Sequence, residues 1–174
     1  MAENHLKSLF TGPPRLTLAV AESLTAGRVQ ARVSAESGAS AYFLGGLTAY
    51  TLESKVRYLG VDQAEAERSA GVSAKVAEQM ALGVCRFFGS DVGVGTTGWA
   101  ESSAESHVYH PFAWWGVAHW KPLTGEILYL VSGRVDFPGA SRAQVQTGVT
   151  DAVVVQLASY IRALRGGDRP KPNP

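Results

Sequence analysis

The chain has 174 residues, of which 45% are hydrophobic and 18% charged, and its formal net charge is +1. That length buries one sizeable core but is short for two ordinary domains, and the scattered, balanced charge lacks the basic field of a nucleic-acid binder. A single cysteine, Cys85, rules out an intrachain disulfide, and without a signal-peptide pattern or an apolar run of about 18 residues the expectation is a cytoplasmic protein with neither membrane nor nucleic-acid partners.

Residues Met1 to Phe10 read as a short helix ended by Thr11-Gly12-Pro13-Pro14, because consecutive prolines supply no helix N–H groups. This sets residues 1–14 apart as an N-terminal extension and opens a single domain over 15–164. Leu16 to Val20 reads as a buried first strand, and Leu24 to Ala35 as an amphipathic helix with Val29 and Val33 on its inner side. Gly45 to Thr51 reads as a second strand. A helix from Thr51 or Leu52 is stopped by Gly60, with Lys55 in its first turn. Asp62 to Arg68 is a short helix. Ser73 caps a long one to Phe88 whose inner face is Val76, Met80, Gly83, Val84 and Phe87. Three more strands follow over Asp91–Thr97, Phe112–Trp120 and Glu126–Val131, the last two joined by the turn signals of Lys121 to Gly125. A helix from about Ser141 to Leu164 closes the domain, and 165–174 is a polar, proline-rich tail expected to be disordered. Helices between the early strands imply parallel pairing. The fold class is therefore α/β, a three-layer α/β/α sandwich on a mixed, mainly parallel sheet with a late antiparallel hairpin.

Two apparent motifs carry no chemistry. Gly93-Val94-Gly95-Thr96-Thr97-Gly98 has the glycine spacing of a dinucleotide fingerprint, but its first two glycines lie within a strand instead of the turn that opens a helix. His107-Val108-Tyr109-His110 has a metal-like spacing without the further ligands that a metal site needs, so no metal and no cofactor is expected. The aromatics Tyr109, Phe112, Trp114, Trp115 and Trp120 straddle the fourth strand and fit a packed core, a subunit interface or a stacking surface.

The stretch Ala21-Glu22-Ser23-Leu24-Thr25-Ala26-Gly27 follows the first strand and opens a helical pattern, which sets Ser23 on a strand-to-helix turn. Such a serine is either a helix N-cap or a nucleophile held beside unpaired helix N–H groups. None of the four histidines is near it in sequence, which leaves Lys55 as a base once burial or nearby positive dipoles lower its pKa, with Tyr50 beside it.

The segments Ala21 to Gly27 (AES-x-T-x-G), Gly38-Ala39-Ser40-Ala41-Tyr42-Phe43-x-Gly45-Gly46, Tyr50 followed by Lys55, Leu59-Gly60-Val61, and Gly71-Val72-Ser73-x-x-Val76-Ala77-x-x-Met80-Ala81 occur in that order. With them the chain resembles the CinA C-terminal domain family, whose members include nicotinamide-nucleotide amidases, from about Leu16 to Thr97 and more loosely in the final third. The resemblance implies a nucleophilic role for Ser23 with Lys55 and Tyr50 assisting, and substrate contacts at Thr25, Gly27, Gly45, Gly46, Thr97 and Gly98. It also implies a small-molecule nucleotide amide as substrate and a homodimer as the assembly. The chain departs from the family pattern at Ala26, where a glycine is usual, and at Leu52, where an asparagine is usual. It departs again at Thr97-Gly98-Trp99-Ala100-Glu101-Ser102-Ser103-Ala104, which replaces a glycine-rich loop, and at His110-Pro111-Phe112-Ala113. The implied activity is metal-free deamidation of nicotinamide mononucleotide or a related amide. The competing reading, favoured by the altered 98–113 region, is an inactive relative that binds a nucleotide or a protein partner.

Overall fold

The computed structural model describes residues 6–167. The elements in chain order are α1 (Leu6–Thr11), β1 (Leu18–Glu22), α2 (Arg28–Ser34), β2 (Phe43–Thr48), α3 (Leu52–Leu59), α4 (Gln63–Arg68), α5 (Ala74–Phe88), β3 (Val92–Trp99), β4 (Phe112–Trp120), β5 (Ile127–Asp136) and α6 (Arg142–Gly166). The first five residues of the expected N-terminal helix and most of the 165–174 tail lie outside the described range.

One five-stranded sheet has the order β2-β1-β3-β4-β5. β1 pairs in parallel with β2 and β3, whereas β3–β4 and β4–β5 are antiparallel. Parallel pairing follows from the helical crossovers on either side of β1, and the antiparallel half from the Lys121–Gly125 turn, where the Gly125 N–H donates to the Lys121 carbonyl at 2.8 Å. The result is the expected α/β/α sandwich, its sheet parallel in one half and antiparallel in the other.

β1 is buried along its whole length because both faces are covered. Leu18 and Val20 pack with Val29 and Val33 of α2 and Val153 and Leu157 of α6, while Ala19 and Ala21 face Val76 and Met80 of α5. The α5 side of the sheet is built from very small residues. A Cβ on Gly93 would lie 2.0 Å from the Ala81 carbonyl oxygen, and one on Gly95 2.3 Å from that of Ala77. The glycines that imitate a dinucleotide fingerprint therefore let α5 rest directly on the strands.

Several boundaries differ from the sequence reading. β2 begins at Phe43 and ends at Thr48, and β5 continues to Asp136, because its ladder follows the full length of β4. Phe87, expected on the inner face of α5, is 54% exposed, and the neighbouring Phe88 turns inward to the core. The segment read as an extension is packed: Phe10 is fully buried and its ring stacks on Tyr42 with centroids 5.1 Å apart. Arg165 of α6 donates to the Leu9 carbonyl from both Nε and Nη2, which ties the two ends together.

The order of the central strands locates a candidate crevice. From β1 the chain crosses through α2 to β2 on one side, and then returns through α3–α5 to β3 on the other. The carboxyl ends of β1 and β3 thus part at a topological switch point, the usual place for a ligand in an open α/β sheet. Ser23 lies just beyond β1, and Thr97, Gly98 and Trp99 form the end of β3.

Candidate active site

The turn after β1 differs from the expected strand-to-helix junction. Helix α2 starts at Arg28, four residues later than its pattern indicates, with Gly27 at the N-cap in a left-handed conformation (φ 94°) and no side-chain cap from a serine. The helix N–H groups expected beside Ser23 are occupied instead by the fully buried Glu22 carboxylate. Its Oε2 accepts from Gly27 (2.9 Å) and Val29 (3.1 Å), and its Oε1 accepts from Gln30 (2.9 Å). A carboxylate with three amide donors at a helix N-terminus is a structural cap. Ser23 is thereby released from capping.

Four further bonds hold the turn. The Ser23 N–H donates to the Thr96 carbonyl at 2.9 Å, extending the β1–β3 ladder by one residue. Below it the buried hydroxyls of Thr25 and Thr96 pair at 2.7 Å. Gln146 of α6 donates from Nε2 to the Leu24 carbonyl at 2.8 Å. The Ala26 N–H donates to the Ser23 carbonyl at 3.1 Å and Ala26 adopts φ 49°, the left-handed geometry of a tight turn. Among the described hydrogen bonds the Leu24 and Thr25 amides are not donors.

Ser23 is only 6% exposed, and its Oγ accepts a 3.0 Å hydrogen bond from Lys55 Nζ. Lys55 arrives from α3, whose N-terminus is fixed by a capping box between Thr51 and Ser54. Lys55 is 4% exposed, and its ammonium has a second, weaker contact with the Tyr50 carbonyl at 3.4 Å. Burial pushes the Lys55 pKa down from 10.5 to about 8. Desolvation, one of the two causes expected from sequence, lowers it. Gly71 keeps the approach open: its φ is 72°, and a Cβ there would meet Leu52 Cδ2 at 2.5 Å and lie 3.6 Å from Lys55 Nζ.

Ser23 and Lys55 lie on a cleft of about 320 Å³ that is also lined by Tyr50, Thr97, Gly98 and residues of the segment after β3. Thr97 donates from Oγ1 to the Gly71 carbonyl at 2.6 Å, which fixes the floor. Of the candidates from sequence, Ser23, Tyr50, Lys55, Thr97 and Gly98 meet at this cleft. Thr25 and Gly27 lie under or beside it within the turn, and Gly45 and Gly46 belong to β2, where they approach Phe88 and Gln30. The Tyr50 side chain is 52% exposed, and its hydroxyl accepts from Arg142 Nη2 at 2.6 Å. His110, half of the metal-like pair, binds Asp136 at 2.8 Å.

Three residues that the sequence reading did not assign to the site complete the rim. Arg142, the first residue of α6, bonds Tyr50 through Nη2 and Glu101 through Nη1 (3.0 Å), and Trp99 contributes an aromatic wall. Arg142 lies 92 residues from Tyr50, so no local pattern links them. The conflict of charge and capping roles at Ser141-Arg142 was the available signal, since a cation in the first turn of a helix opposes its dipole.

The arrangement supplies a buried hydroxyl and, in contact with it, an amine with a depressed pKa, at a cleft large enough for a small molecule. The model of the CinA C-terminal domain matches residues 3–161. A CinA-like protein of Picosynechococcus sp. is 50% identical over 82 residues, covering 47% of this chain and 20% of that protein. A CinA-like protein of Mycolicibacterium vanbaalenii is 46% identical over 98 residues, covering 56% and 22% respectively. The matches thus span about a fifth of the length of these curated relatives. Among solved structures, competence damage-inducible protein A of Klebsiella pneumoniae superposes with a TM-score of 0.80 at 19% identity, over 91% of this chain and 93% of that one. A CinA superfamily protein of Escherichia coli superposes with a TM-score of 0.76 at 24% identity, over 88% and 86%. At these identities the structural likeness speaks for the fold, and the match over most of the chain speaks for descent: the chain belongs to the CinA C-terminal domain family.

Proposed function

We propose that the protein is a metal-free amidohydrolase that cleaves a linear carboxamide to the carboxylate and ammonia, with Ser23 as nucleophile and Lys55 as its base. The observation that carries this reading is the 3.0 Å contact between a buried hydroxyl and a buried amine whose pKa is pushed down to about 8. At pH 7.5 such an amine is neutral in about a quarter of molecules, against roughly one in a thousand for an ordinary lysine. A neutral Lys55 takes the Ser23 proton as Oγ attacks the carbonyl carbon. The oxyanion role is assigned to backbone N–H groups of the turn near Thr25, since Glu22 already takes those of Gly27, Val29 and Gln30. Lys55 then gives its proton to the departing nitrogen, which leaves as ammonia. Water, deprotonated by the same amine, cleaves the acyl-serine and restores the enzyme. Tyr50 steadies Lys55 through its carbonyl and Arg142 through its hydroxyl.

Nicotinamide mononucleotide is the substrate that the family resemblance implies, and its close amides belong in the same trial. Ammonia release, measured across such a panel before and after exhaustive chelation, tests the proposal. Turnover that survives EDTA is the expected result. Loss of turnover with EDTA and its restoration by zinc contradicts a serine–lysine route, and absence of turnover on every amide favours the inactive, ligand-binding relative.

A further inference from the structure

The charges lining the cleft are Lys55, Glu101 and Arg142. In the reactive state Lys55 is neutral, so recognition of a charged substrate falls to the other two. Arg142 is the residue an anionic group would seek, because its planar fork matches phosphate and carboxylate. Both of its terminal nitrogens are already engaged, Nη1 by the Glu101 carboxylate at 3.0 Å and Nη2 by the Tyr50 hydroxyl at 2.6 Å. The other lining residues are uncharged, among them Trp99, Ser102 and Ser103.

From this geometry we infer that Glu101 is a specificity-determining residue that turns the cleft away from phosphorylated amides and toward neutral or cationic carboxamides. The inference rests on the amidase reading above and narrows its substrate class. A phosphate monoester carries a charge of roughly −1.5 to −2 at neutral pH. To reach Arg142 it must share the guanidinium with Glu101 or leave that carboxylate unpaired beside it. The Glu101–Arg142 pair is solvent-accessible, with side chains 64% and 45% exposed, so the pair itself is weak and easily opened. The carboxylate remains close to the cleft whether the pair is open or closed. Like charges a few ångströms apart in a medium between water and protein interior are separated by at least about a tenfold penalty in affinity. A cationic ring, in contrast, is attracted by Glu101 and has the aromatic Trp99 among the residues that line the cleft.

Nicotinamide riboside and nicotinamide mononucleotide share the carboxamide, the cationic ring and the ribose, and differ by the phosphate. They are the probes of choice. The parent protein is expected to show the higher kcat/KM with the riboside. Glu101→Gln, which keeps the shape and removes the charge at an exposed position, should raise the mononucleotide-to-riboside ratio by about tenfold or more, with the gain shrinking in high salt. A purely structural role for Glu101 would lower both substrates together and leave the ratio fixed. Calorimetric titration of the same two compounds against both proteins separates this inference from the amidase reading. A tenfold shift in the Kd ratio without turnover supports the role of Glu101 and defeats the chemistry. Turnover with an unchanged ratio defeats the role of Glu101 and leaves the chemistry. A parent protein that prefers the mononucleotide, or binds neither compound, overturns the inference.

Discussion

Replacing Lys55 by methionine should stabilise the protein while removing its activity. Lys55 is 4% exposed and makes no ion pair among the described residues, so at neutral pH the fold carries a desolvated ammonium. A pKa lowered from 10.5 to about 8 corresponds, at 1.36 kcal/mol for each factor of ten, to a penalty of about 3 kcal/mol at pH 7. Methionine fills nearly the same volume without charge. The bonds from Nζ to Ser23 Oγ and to the Tyr50 carbonyl are lost with it, which returns about 1 kcal/mol and leaves a net gain of about 2 kcal/mol. The sign of the pH dependence is fixed by linkage. The unfolded chain keeps the Lys55 proton up to about pH 10.5 and the folded chain releases it near 8, so the parent gains stability from this site as pH rises through that window. The advantage of the variant is therefore full at pH 7 and fades between pH 8 and 10.5. Urea unfolding of both proteins at pH 7, 9 and 10 measures it. A methionine variant less stable than the parent at pH 7, or a difference constant across the three pH values, would refute the buried-amine argument.

The rate should follow the same group: kcat/KM rises with pH through about 8 and levels above it, since neutral Lys55 is the active form, and a profile flat from pH 6.5 to 9 contradicts the base assignment. Glu22→Gln should cost about 2–4 kcal/mol in denaturant unfolding, because an amide offers one acceptor atom where the carboxylate serves three N–H groups with two; a loss below about 0.5 kcal/mol would mean that Glu22 does not hold the turn. Gly95→Ala should destabilise by about 1–3 kcal/mol, since its Cβ would sit 2.3 Å from the Ala77 carbonyl and lift α5 from the sheet. An unchanged melting temperature would show that the α5–sheet contact is looser than described.

How much of this was legible in the sequence depended on how local the governing contact is. β4 spans Phe112–Trp120 as read, and α5 begins after Ser73 and stops at Gly89, because apolar spacing and cap residues within a few positions decide those limits. The Ser23–Lys55 pair was reached through motif order, since a separation of 32 positions carries no spacing rule. The start of α2 was misplaced because Glu22, five to eight residues from the amides it caps, replaces the adjacent Ser23 in that task. The packing of α1 was hidden for a related reason: the Pro13-Pro14 break looks like a boundary, while the contact that keeps Phe10 inside is with Tyr42, far along the chain. Arg142 and Glu101 were invisible as a pair because only the fold brings the N-terminus of α6 to the end of β3.

The central claim, that Ser23 is acylated by a carboxamide with Lys55 as base, is tested most directly on the enzyme itself. The parent, Ser23→Ala and Lys55→Met proteins are mixed with an amide that the parent turns over, quenched in acid on the millisecond-to-second scale and analysed by intact and peptide mass spectrometry. The account predicts ammonia release and a transient acyl adduct on the Ser23 peptide in the parent, with neither in the two variants, although both remain folded. Ammonia release at the parent rate from Ser23→Ala would contradict it.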